Sequence, residues 1–252
     1  MAVNENVFAR PAVAAGAANA RAREHRFYLV AGFLATALVF IGFSKQYYLK
    51  FLFDVPPLYS NMVRIHAIVM TAWVLLFAAQ VWLVSAKRVR THMKLGWAGV
   101  GLAVLVLVTG YLVSIGGPSH LTAKDLGGIP PLSFMIIPLM DLVLFVLFFG
   151  GAIALRKKPA EHKRLMILVA ANFLPPAAAR MPIAALQALG PWWLFGLPTV
   201  FMAGVLVFDS IRNRKVNVNM AIGTVILVAS FPLRLWAGGT ETWLQFATWL
   251  TS

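Results

Sequence analysis

His66 and Gln80 lie within one apolar stretch, residues 61–84, that is long enough to cross a bilayer. With Trp73 between them they recur every seven residues. At about 100° per residue each step drifts by only about 20°, so a single helix puts all three side chains on one face. Hydrocarbon offers polar groups no partners, and that face is expected to point into a bundle. Gln80 taken alone fits an interhelical hydrogen bond better than a ligand contact.

The other histidines fall in two tiers. His25, His92 and His162 each precede or open an apolar run among lysines and arginines, and His120 lies between two runs. A non-covalent b-type haem needs two imidazoles from facing helices at similar depth, each with its other ring nitrogen held by an acceptor. His92 with His162 meets that requirement on paper, whereas His66 reaches His120 only if the intervening loop folds inward. Contacts to lipid headgroups or backbone carbonyls are the commoner role of a histidine in a basic loop. The cofactor-binding candidates are His66, His92 and His162, and the cofactor classes are haem b or a quinone.

A second set of polar residues is expected in the other half of the membrane. Asp141 lies about 14 Å into its run, with Pro138 one turn earlier. A carboxylate at that depth must be paired, protonated or facing water. The stretch 171–182, ANFLPPAAARMP, contains Asn172, a Pro175-Pro176 pair that cannot continue a hydrogen-bond ladder, and Arg180. A broken helix is expected there, with Arg180 contacting Asp141. Broken spans line sites in transporters, so Gln80, Asp141, Asn172 and Arg180 also fit passage of a proton or small solute.

Seven apolar runs would position these groups: 27–43, 61–84, 95–115, 132–155, 165–189, 192–208 and 218–236. Each has about 17–25 residues, the length that crosses about 30 Å of hydrocarbon. The fifth and sixth are interrupted by prolines. Charge gives an independent check. Arg10, Arg21, Arg23 and Arg26, then Lys87 to Lys94, Arg156 to Arg164 and Arg212 to Lys215 make sixteen of the 22 lysines and arginines, all in alternate connecting segments. The positive-inside rule then places the N-terminus inside and the C-terminus outside.

Composition agrees, at 60% hydrophobic residues and a mean hydropathy of +0.80 over 252 residues. The net charge of +14 sits in short clusters between apolar runs, which orients a membrane protein on anionic lipid headgroups and argues against nucleic acid. No cysteine is present, which excludes disulfides, thiolate metal sites and covalent haem attachment. The run 218–236 has no lysine to bind retinal, and no Walker, G-x-S-x-G, H-E-x-x-H or acidic-cluster motif occurs, so no metal site is expected. Residues 1–26 read as a basic, flexible arm; a signal peptide fits less well because the run that follows is long and lacks an A-x-A-like cleavage site. Residues 237–252 place Trp243, Phe246, Ala247 and Leu250 on one face of a short interfacial helix. The segments H-M-K-L at His92 and H-K-R-L at His162 form a weak internal echo.

With RIHAIVMTAWVLLFAAQVWL, RVRTHMKLGWAGVG and EHKRLMILVAANFLPPAAARMP, the chain resembles a family of uncharacterised bacterial polytopic membrane proteins over roughly residues 28–208. That resemblance implies no activity. Through histidines at two membrane heights it is also similar to diheme b-type membrane cytochromes, whose two ligand pairs it departs from because His66 has no evident partner. The expected fold is all-α: a polytopic transmembrane bundle of about seven spans over residues 27–236 in a bacterial cytoplasmic (inner) membrane. The leading functional expectation is redox-linked haem b or quinone binding. The alternatives are a small-solute or proton transporter and a non-catalytic accessory subunit of a membrane complex.

Overall fold

A computed structural model describes residues 6–58 and 60–252, with side chains from residue 22 onward, so Arg10 and Arg21 of the expected N-terminal arm lie outside the described side chains. The fold is all-α. Helices run over α1 (Asn6–Phe43), α2 (Asn61–Ser85), α3 (Val89–Gly116), α4 (Pro131–Phe134), α5 (Ile136–Ala154), α6 (Pro159–Asn172), α7 (Leu174–Arg180), α8 (Ala184–Gln187), α9 (Pro191–Asn213), α10 (Val218–Gly238) and α11 (Glu241–Thr251). Helix α1 is continuous across the boundary between the basic arm and the first apolar run. Six helical segments among the described residues are long and apolar enough to cross a membrane, and this is a multi-pass integral membrane protein.

The fifth apolar run is the exception. It forms α6 and α7 end to end, separated by Phe173, followed by the single turn of α8. Pro175 and Pro176 have no N–H to give to the carbonyls of Ala171 and Asn172, so the ladder of α6 stops there and restarts with prolines in the first turn of α7. Pro198, in contrast, is tolerated inside α9, which stays one helix with Pro191 in its first turn. The chain turns sharply between α2 and α3 with Lys87 in the left-handed region at φ 60°. Side chains of Ser60, Asn217 and Thr240 cap α2, α10 and α11 by accepting from Val63, Met220 and Trp243 N–H.

The broken pair is the centre of the bundle. Leu168, Val169, Ala171, Leu174, Ala177 and Ala178 are fully buried, and α1, α5, α9 and α10 pack around them with Phe145, Met202, Met220 and Leu227. Large apolar side chains instead cover the outside, as with Val104, Leu105 and Val108 on α3 and Val143, Val146 and Leu147 on α5, which is the inverse arrangement a lipid environment selects. Trp192, Trp236 and Trp249 are exposed at helix ends, where an aromatic belt belongs. Helix α11 is anchored by Trp243 Nε1, which donates to the carbonyl of Leu132 over 2.9 Å, and buries Ala247 completely.

Close backbone approach explains one buried glycine. A Cβ on Gly42 would overlap the carbonyl of Ala177 and stand 2.7 Å from its Cα, because α1 crosses α7 backbone to backbone. Gly42→Ala is expected to lower stability by about 1–3 kcal/mol through overpacking. Gly101→Ala, with nothing within 4 Å of the new methyl, is expected to be neutral or slightly stabilising in the same thermal denaturation.

Candidate functional site

The end of the bundle carrying the basic connections 86–94, 155–164 and 212–217 is called here the basic end. Along α2 the spacing of His66, Trp73 and Gln80 does produce one inward face. At the far end His66 Nδ1 lies 3.0 Å from Thr109 Oγ1 on α3. The Thr109 hydroxyl donates to the Leu105 carbonyl at 2.7 Å, so its oxygen accepts from His66, which assigns the proton to Nδ1 and the lone pair to Nε2. Gly110 makes room, since a Cβ there would meet Leu142 Cδ2 at 2.8 Å and His66 Cε1 at 3.5 Å. Mid-helix, Trp73 is buried edge-on against Phe145 and Phe149 of α5, with centroids 5.1 and 5.3 Å away. His120 is exposed past the end of α3, and the structure shows His66 engaged with Thr109.

At the basic end the face meets two more candidates. The rings of His92 and His162 stand 6.2 Å apart, centre to centre, with planes 80° apart. His162 Nδ1 is 2.8 Å from the Ala152 carbonyl, which can only accept, so Nδ1 carries the proton and Nε2 the lone pair. His92 Nδ1 and Gln80 Oε1 are both buried without a hydrogen-bond partner among the described residues. The Gln80 amide nitrogen lies 3.7 Å from the position of a Cβ on Gly96, one turn along α3 from His92. Three of the expected polar residues, Gln80, His92 and His162, thus belong to the basic ends of α2, α3 and α6. His66, about 21 Å along α2 from Gln80 at 1.5 Å per residue, is separate from them.

Asp141 is buried as expected, but its partner is Arg234 rather than Arg180. Arg234 Nη1 donates to Asp141 Oδ1 at 2.5 Å and to the Ile137 carbonyl at 3.3 Å. Asn172, at the break after α6, donates from Nδ2 to the Asp141 backbone carbonyl at 2.8 Å. Arg234 is 1% exposed and Asn172 fully buried, yet Arg234 Nε and Nη2 and Asn172 Oδ1 have no partner among the described residues. The centre therefore joins α5, α6 and α10 through one ion pair and retains unused donors and an acceptor. Arg180 lies at the exposed end of α7, where Nη1 donates to the Pro176 carbonyl at 3.1 Å and the guanidinium sits 5.2 Å from the Phe43 ring centre.

A buried network outside the expected set joins α1, α6 and α9. Asp209, 1% exposed, accepts from Tyr28 OH at 2.7 Å and from Arg164 Nε and Nη2 at 3.1 Å each. Arg164 Nη1 also donates to the Ala160 carbonyl at 3.0 Å, and Glu161 lies 3.7 Å away. Glu161 in turn accepts from Asn217 and Asn219 at 2.8 Å, and Lys163 pairs with Glu24. The network closes the basic end around the first turns of α6. Beyond the helices, in the loop before α4, the hydroxyl and backbone N–H of Thr122 hold the Asp125 carboxyl below the usual carboxylate range.

No group of three or more His, Cys, Asp or Glu side chains that could hold a bare metal ion occurs among the described residues. Comparison with protein families, curated proteins and solved structures found no match to this chain.

Proposed function

We propose that this multi-pass protein is redox-linked, sits in a bacterial cytoplasmic membrane with its basic end on the cytoplasmic side, and holds a non-covalent haem b between His92 and His162. The orientation rests on the positive-inside rule, since sixteen of the 22 lysines and arginines belong to the N-terminal segment and the three basic connections. In this reading α6 and α7 together make a seventh, broken crossing. Anionic headgroups are the partners of the basic connections.

The observation that carries the reading is the spacing of the two rings. Two imidazoles bonded to one metal stand roughly 6 Å apart centre to centre, from metal–nitrogen bonds of about 2 Å and ring radii of about 1 Å. The ring centres of His92 and His162 stand 6.2 Å apart, a separation at which both imidazoles could hold one metal ion between them. His162 has the support a metal-binding imidazole uses: its Nδ1–H is fixed on the Ala152 carbonyl, and its Nε2 lone pair would hold the group. His92 brings a buried ring nitrogen without a partner, and Gln80 adds an unpartnered amide oxygen. Two side chains would suffice to hold a haem, and a cluster of three ligands is not required of it. Held by His92 and His162, a haem would supply one-electron transfer. Arg90 and Lys94, exposed in the first turns of α3 on either side of His92 in sequence, would suit the anionic propionates.

Protein purified with added haem is expected to bind one haem per chain in the wild type. His92→Ala and His162→Ala should each lose it, and His120→Ala should retain it. Retention of the bound haem spectrum in both site variants would remove this pair from the function.

A further inference from the structure

Away from the basic end, an open cavity of about 410 Å³ lies where the π-helical turn after α1, residues 44–48, meets the segment 54–56 and the stretch from Arg180 to α8. Its volume is in the range of small-molecule sites, about 300–1,000 Å³. Lys45, Arg180, Gln46, Gln187 and Asp54 supply its polar lining. We infer that this cavity is a binding site for a small phosphate-bearing group, with Lys45 and Arg180 taking the phosphate oxygens and Asp54 taking a hydroxyl or ammonium of the same ligand.

Charge placement carries the argument. Only six lysines and arginines belong to this end of the bundle: Lys45, Lys50, Arg64, Lys124, Arg180 and Arg234. Arg234 is committed to Asp141. Two of the other five, from opposite halves of the sequence, converge on one cavity in the part of the protein where cations are scarcest. Both are supported by rings, Lys45 Nζ at 5.8 Å from the Phe53 centre and Arg180 at 5.2 Å from Phe43. Gln187 is oriented by donating to the Met181 carbonyl at 3.0 Å, which aligns α8 with the end of α7. A guanidinium and an ammonium together match phosphate geometry and charge. A single carboxylate leaves the lining net positive and provides an acceptor, which favours a ligand carrying hydroxyl or ammonium hydrogens beside its phosphate. Exposed Phe51, Leu52 and Trp192 flank these segments in sequence, so the ligand is either a phospholipid headgroup or a free phosphorylated solute.

The test uses the full chain in phosphatidylcholine nanodiscs. Calorimetry with glycerol 3-phosphate probes the free solute. Native mass spectrometry after adding phosphatidylglycerol probes the headgroup. At least one probe should bind, and Lys45→Gln and Arg180→Gln should each weaken it by tenfold or more. Lys50→Gln, a cation outside the lining, should leave it unchanged. Binding of glycerol 3-phosphate assigns a free solute, and retention of phosphatidylglycerol alone assigns a headgroup. Failure of both probes to bind, or binding that survives both cavity substitutions, would overturn the site. Neither result depends on haem, so it stands or falls apart from the imidazole pair.

Discussion

Replacing Asp141 with alanine is expected to cost about 3–5 kcal/mol, because it strands a buried guanidinium without its counter-charge. Arg234 is 1% exposed, and Asp141 is its one carboxylate among the described residues. Two guanidinium nitrogens already lack partners, so nothing nearby can absorb the lost bond. Arg234→Met alone should be similarly harmful, leaving the carboxylate stranded. The double replacement of Asp141→Ala with Arg234→Met should recover most of the loss, since a buried ion pair contributes little net stability compared with apolar packing. Unfolding in a mixed-detergent titration would measure all three. A double variant no more stable than either single variant would show that the pair is not the unit described. Arg180→Ala, at the exposed end of α7, should fall within about 0.5 kcal/mol of the wild type.

Asp209→Ala is expected to be the second large effect, also about 3–5 kcal/mol, for a related reason. Its carboxylate takes both an arginine fork and a tyrosine hydroxyl from two other helices. Tyr28→Phe removes only one hydrogen bond to that charge and should cost about 1.5–3 kcal/mol. The ranking is the test, by the same titration. If Tyr28→Phe matched Asp209→Ala, the contribution would lie in α1 packing and not in the carboxylate. Because the network sits at the first turns of α6, Asp209→Ala should also loosen His162, which opens that helix.

The bundle was legible in the sequence because lipid exposure leaves a long apolar signature: five of the expected runs each lie within one helix, and the fourth is one long helix, α5, preceded by the single turn of α4. The fifth run was legible as a broken one, because two adjacent prolines remove two consecutive donors whatever the surroundings. The inward face of α2 followed from a period of seven alone. Partners across helices were harder to read. Arg234 lies inside the run 218–236, yet depth counted from the end of that run puts it near the boundary, whereas α10 continues to Gly238 and buries it. A cation within an apolar run is as strong a sign of burial as an anion, but Arg64, Arg180 and Arg234 each lie in a run, so the sequence leaves three candidate partners for Asp141. Asp209 and Tyr28 each sit at the edge of a run, where hydropathy does not separate a solvated group from a buried one. The approach of His92 to His162 was expected from similar depth, but depth says nothing about lateral neighbours. It required α3 and α6 to lie close at their first turns.

The most direct measurement is the optical spectrum of the full chain, purified from cells supplied with haem precursor, in its oxidised and dithionite-reduced states. The imidazole-pair account predicts a Soret band that shifts on reduction, sharp low-spin visible bands, and one haem per chain. A colourless protein, with no Soret band even after haem is added to it, would contradict the account.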